Sequence, residues 1–178
     1  MVNILTRFVA CAGTGLVSGF ISGLGQYCLP ENQVIVQTYP ALVLGIFLFL
    51  CGYYVLRISI ANPLLSCINL VFFSILGWRA SIDIGYEFGG PAPFLTAGIL
   101  GSFFVALGWL LSWNIRSGIM KFVLIVVVSG AIGGLAFQLT DKFFNLNDEI
   151  WTFTLFIEWQ IILMIGIAYA HQKIKTSC

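Results

Sequence analysis

The chain has 178 residues, 60% of them hydrophobic and 8% charged, with a formal net charge of +1. Soluble domains carry about 25% charged residues, so charge this sparse excludes a surface covered by water. Near-neutrality offers no steering field for nucleic acid or for acidic substrates, and the little chain outside the apolar runs leaves no room for a soluble catalytic domain.

A helix needs about 20 apolar residues to cross hydrocarbon. Six runs meet that need, at 5–29, 40–60, 63–80, 94–113, 118–139 and 150–170. They predict an all-α fold, a bundle of six transmembrane helices forming one domain over residues 1–178. The first run follows a single basic residue, Arg7, much as a secretory signal would. It continues to Leu29 without a small-x-small cleavage site, and so reads as a retained span. Turn chemistry separates the runs: Pro30-Glu31-Asn32, Asn62-Pro63, Gly89-Gly90-Pro91-Ala92-Pro93, the 114–118 segment and Asn145-Leu146-Asn147-Asp148. Between Arg57 and Asn62 the connection is so short that spans two and three should form a tight antiparallel hairpin.

Two stretches echo each other. Val17-Ser18-Gly19-Phe20-Ile21-Ser22-Gly23-Leu24 recurs 111 residues later as Val128-Ser129-Gly130-Ala131-Ile132-Gly133-Gly134-Leu135, identical at six of eight positions. Gly15, Gly19 and Gly23 in one copy, and Gly130 and Gly134 in the other, stand four apart and share a helix face. Burial of apolar surface gives helices no net drive to associate in lipid, so faces stripped of side-chain bulk are where backbones can approach. Chance similarity and a parallel duplication both remain open. The same faces are also candidate docking surfaces for other membrane subunits.

Basic residues set orientation. Six of them (Arg7, Arg57, Arg116, Lys121, Lys173 and Lys175) fall on one side of a six-span layout, and two (Arg79 and Lys142) on the other. Both termini are therefore expected in the cytoplasm, in a plasma or inner membrane. Amphipathic rings agree, with Tyr27, Tyr39, Trp78, Tyr86 and Trp151 at outer ends and Tyr53, Tyr54, Trp109, Trp113 and Tyr169 at inner ends.

Chemistry is scarce. Glu158 lies roughly 10 Å below the outer interface, counted at about 1.5 Å per residue from Trp151. A carboxylate there should face the bundle interior and either pair with a cation or carry a proton. Arg79 is the natural partner, with Trp78 beside it and Asp83 and Glu87 at the lip of a cavity open to the outside. These five residues form the expected substrate-binding set. The alternative is that Arg79 snorkels or pairs with Asp83 while Glu158 is a packing residue. The Gly- and Pro-rich connection from Ile82 to Pro93 reads as an interfacial loop, with a lid or a dipping segment as the other possibility. Gln26 and Gln138, each just after an echoed stretch, could bond across helices or to a solute.

His171 stands alone and no Cys-x-x-Cys spacing occurs, so no metal site or other cofactor is expected. No nucleophile with a base, phosphate-cradling loop or His-Glu-x-x-His helix is legible. The expected function is binding or transport of a small solute in the outer half of the bundle. A structural or assembly subunit of a larger membrane complex is the alternative.

Overall fold

Six helices account for the six apolar runs. The computed structural model describes residues 4–28, 33–86, 92–113, 115 and 118–175. The helices are α1 (Ile4–Cys28), α2 (Gln33–Leu50), α3 (Pro63–Ala80), α4 (Pro93–Trp113), α5 (Ile119–Phe144) and α6 (Asp148–Lys175), with no strand among the described residues. All six, α2 and α3 with their extensions, are long and apolar enough to cross a bilayer, the architecture of a multi-pass membrane protein.

Local chemistry sets the ends. Asn62 caps α3, its side chain accepting from the Leu65 N–H at 3.1 Å, with Pro63 at the first helical position. Asn145 stops α5 in the left-handed conformation at φ +46°. Two residues later the Asn147 side chain accepts from the Ile150 N–H at 2.9 Å and starts α6. Two boundaries differ from the sequence reading. The second span gives way to a wider π-turn, Cys51–Val55, before the link to Asn62. The third runs past residue 80 into another π-turn, Ser81–Tyr86, where a loop was expected. That turn is held because the single Ser81 hydroxyl proton is shared between the Gly77 carbonyl at 2.7 Å and the Ala97 carbonyl at 2.8 Å. Gly85 then lays its backbone on Ala97. Gly89, Gly90 and Pro91 lie outside the described residues.

Each helix packs antiparallel on its chain neighbour, and α6 closes the cycle by packing on α1. Residues 4 and 175 thus share one face, called proximal here; the turns after α1, α3 and α5 form the distal face. Glycine lies in the seams. A Cβ on Gly15 would stand 2.7 Å from the Gln160 carbonyl oxygen, and one on Gly19 would stand 2.6 Å from the Ile157 Cα, so α1 and α6 meet backbone to backbone. Gly130 faces Gly98 and Ser102 of α4, and Gly134 faces the Phe94 backbone. The two echoed stretches therefore run in the same direction and use one device on different neighbours. The chain's own α6 and α4 lie against the glycines of these two stretches.

Hydroxyl and thiol groups reinforce the seams. Ser66 and Ser112 donate to each other's backbone carbonyls at 3.0 and 3.1 Å between α3 and α4. The sulfurs of Cys11 and Cys51 lie 3.3 Å apart between α1 and the turn after α2. Bulk faces outward: Leu124, Val128, Ile132, Leu135 and Leu139 form an exposed stripe on α5, opposite its buried glycines. Such a stripe suits a membrane or an apolar protein partner. Trp109 and Trp113, expected among the interfacial rings, are instead buried, because Gly52 leaves room for the Trp113 indole.

Overpacking a tight contact costs about 1–3 kcal/mol, whereas replacing an unhindered helical glycine by alanine gains up to about 1 kcal/mol. Gly19→Ala and Gly130→Ala are therefore expected to lower the thermal unfolding midpoint in detergent by several degrees or more. Gly13→Ala, whose methyl would meet nothing within 4 Å, should leave it unchanged or slightly raised. Scanning fluorimetry on the three variants makes the comparison.

Candidate functional site

Successive residues on a helix point about 100° apart, and three consecutive residues of α6 use that spacing to address three neighbours. Glu158 turns to α5, where one carboxylate oxygen accepts from the Thr140 hydroxyl at 2.9 Å. Trp159 lies against Gly133 of α5 and Gly101 of α4, two positions without side chains that make space for its indole. Gln160 turns to α1 and α2. Its amide N–H donates to the Ser22 hydroxyl at 3.2 Å, and Ser22 in turn reaches the Pro40 carbonyl at 3.5 Å.

Trp159 and Gln160 belong to a chamber that enters the bundle from the distal face. Its outer compartment, about 240 Å³, lies among Gln26, Ile82, Trp151 and Thr152, drawn from the distal ends of α1, α6 and the turn after α3. Inward it adjoins a space of about 40 Å³ walled by Trp78, Phe94, Phe156 and Trp159, with Ser81 beside them. Beyond lies a space of about 10 Å³, room for one water or a single ligand group, bordered by Pro40, Ser74, Gly101 and Gln160. Trp78 and Phe156 border all three compartments, their rings 5.3 Å apart. Phe94, Phe137 and Trp151 brace one another behind the wall at 4.8 to 5.8 Å.

Polar groups at the inner end are incompletely satisfied. Gln160 is 1% exposed and Ser74 is 2% exposed. The Gln160 side-chain Oε1, the Ser74 hydroxyl and the indole N–H groups of Trp78 and Trp159 all lack a hydrogen-bond partner among the described residues. An unmet buried donor or acceptor costs about 1–3 kcal/mol. No ionisable side chain borders the three compartments. The chamber thus presents flat apolar walls, a few hydrogen-bond donors and acceptors, and no charge. A larger cleft of about 490 Å³ beside the 56–62 link differs: its Ser66, Ser112 and Asn62 side chains are already engaged within the chain.

Of the five residues expected to bind, Trp78 borders the chamber. Arg79 forms an ion pair with Asp83 at 3.2 Å, one turn along the same helical stretch, with both side chains about half exposed. Glu158 is held by Thr140, its second carboxylate oxygen buried without a partner among the described residues. Glu87 lies outside the described residues. The structure draws Arg79 to Asp83 and Glu158 to Thr140, rather than Arg79 to Glu158. Sequence reasoning passed over Ser74, Ser81, Phe94, Phe156, Trp159 and Gln160. Ring-bearing residues in an apolar span are ordinarily core, and the sole signal was Gln160, an amide in mid-span next to the more conspicuous Glu158.

No family model, curated protein or solved structure matches the chain.

Exposed ion pairs contribute about 0–1 kcal/mol, and hydrogen bonds between membrane helices average about 0.6 with a maximum near 1.7 kcal/mol. A double-mutant cycle on Arg79→Gln and Asp83→Asn should return a coupling under about 1 kcal/mol. Thr140→Val should cost about 0.5–1.5 kcal/mol in reversible unfolding and lose most of that effect once Glu158 is replaced by leucine.

Proposed function

We propose that this membrane protein binds a small uncharged solute in the distal chamber, admitting it from the outer side of the membrane with both termini in the cytoplasm. The observation that carries the reading is the pair of buried, unsatisfied groups, the Gln160 side-chain Oε1 and the Ser74 hydroxyl, at the end of an aromatic-walled chamber without charge. A solute bearing one donor and one acceptor would satisfy them and lay an apolar face on Trp78, Phe156 or Trp159. A charged solute would lose its hydration and find no counter-ion, which costs far more than those contacts return.

Capture or transport of such a solute fits the position of the chamber, which starts at the distal ends of the helices and stops within the bundle. The six-to-two distribution of basic residues supports placing the distal face outside. Arg79 and Asp83, at the edge of that face, act in this reading as a surface pair beside the entrance. A role for the chain as an assembly subunit has less to draw on, since its glycine faces are covered from within.

Binding to the folded state stabilises it, by about 2.7 kcal/mol at a hundredfold excess over Kd. The purified protein is to be screened by thermal unfolding against heteroaromatic amides and alcohols of under about 200 Da, sized to such a cavity, each beside its carboxylate counterpart. Nicotinamide set against nicotinate is one such pair. Uncharged members should raise the midpoint, charged ones should not, and Gln160→Leu should remove the rise measured from its own ligand-free midpoint. The reading fails if carboxylates stabilise as well as their neutral partners, or if no uncharged member acts.

A further inference from the structure

A second cavity, also of about 240 Å³, opens at the proximal face between the first turns of α1 and the last turns of α6. Its polar lining is Arg7 from α1 with His171 and Gln172 from α6, and its apolar walls are Ile4, Phe8 and Leu56. Here the chemistry is the reverse of the distal chamber. A permanent guanidinium, an imidazole only 8% exposed and an amide converge on one space, and all three can donate hydrogen bonds.

Among the described residues, no carboxylate side chain borders that cavity. Asp83, Asp141, Asp148 and Glu158 lie on the distal turn after α3 or on the distal parts of α5 and α6. Lys173, the residue after Gln172, adds a further positive charge at this end of α6 and lies over the Tyr169 ring at 5.4 Å. An anion suits such a lining. A free, hydrated anion would gain nothing from Ile4, Phe8 and Leu56, whereas an amphiphile would gain from both halves. Access favours the same occupant, because Ile4, Leu5 and Val9 on this flank of α1 are 53, 67 and 63% exposed, on the belt that faces lipid.

We infer that the proximal cavity seats the phosphate of an anionic phospholipid. The Arg7 guanidinium spans two phosphate oxygens in a forked, charge-assisted contact. His171 and Gln172 donate to the remaining oxygens, and the glycerol and first methylenes lie on the apolar walls. A lipid held there bridges α1 and α6 where the helical cycle closes, so binding should stabilise the whole bundle.

The test titrates the purified protein in neutral detergent with dioctanoyl phosphatidylglycerol, dioctanoyl phosphatidylcholine or sodium phosphate, reading the thermal midpoint. Phosphatidylglycerol should raise it saturably while the other two do not. Losing a hydrogen bond to a charged group weakens binding by about ten- to a hundredfold, so Arg7→Gln should move half-saturation upward by that factor. Lys121→Gln, a cation removed from the same face, should leave it in place. Should Arg7→Gln fail to fold, Arg7→Lys keeps the charge without the fork and should weaken binding by about tenfold. Equal stabilisation by phosphatidylcholine, or an Arg7 variant that binds as the native protein does, overturns the inference. Equal stabilisation by inorganic phosphate overturns the lipid assignment in favour of the free ion.

Discussion

Backbone contact through glycine is the constraint from which the rest of this bundle follows. In lipid, apolar side chains gain little by leaving one hydrocarbon surface for another, so helices hold together where their atoms approach closely enough for dispersion and weak polar contacts to accumulate. Glycine lies at every seam of the cycle: Gly25 on Tyr39, Gly45 on Val71, Gly77 on Gly101, Gly98 on Gly130, Gly133 on Trp159 and Gly19 on Ile157. Smallness at these points sets the inter-helix spacing. Large apolar residues fill the core between the seams, Leu48, Leu70, Val105, Leu163 and Ile167 among them, and Leu, Val and Ile also cover the outside.

Close seams leave the interior to large rings. Gly101 and Gly133 make the space into which the Trp159 indole fits, and Gly52 does the same for Trp113 at the other end. Rigid aromatic walls cannot collapse around every polar group, so Gln160 and Ser74 keep unmet capacity where the distal chamber ends. The π-turn at Ser81 contributes in the same way. It redirects the end of α3 over Ala97 and brings to the chamber wall a hydroxyl whose proton is shared between two backbone carbonyls, consistent with the frequent use of such turns at functional positions.

Polarity along the bundle axis is the second organising feature. Acids gather at the distal face and most basic residues at the proximal one, yet the cavities do not simply repeat that division. Arg79 and Asp83 pair at the surface, Glu158 turns to Thr140 of α5, and none of the three borders the distal chamber, which is neutral. At the proximal end the cation enters the cavity lining through Arg7. Two spaces of similar size at opposite ends therefore differ in lining, one without an ionisable side chain and the other bordered by Arg7 and His171.

Number and placement of the helices were legible in the sequence, because length and hydropathy are properties of each segment alone. So were the faces of α1 and α5 that carry Gly19, Gly23, Gly130 and Gly134, since spacing by four defines a face without reference to a partner. Which neighbour each face would meet was not legible. Helices apolar on all sides carry no stripe that fixes their rotation, so Arg79 and Glu158 could be matched by depth but not by direction. Only tertiary packing decided that Glu158 turns to Thr140, that Arg79 stays with Asp83, and that Trp159 and Gln160 converge with Trp78 and Ser74 on one chamber. Such convergence depends on the rotation of several rods about their own axes, and in lipid that rotation is set by which small residues lock together, a property of pairs of helices that no single segment contains.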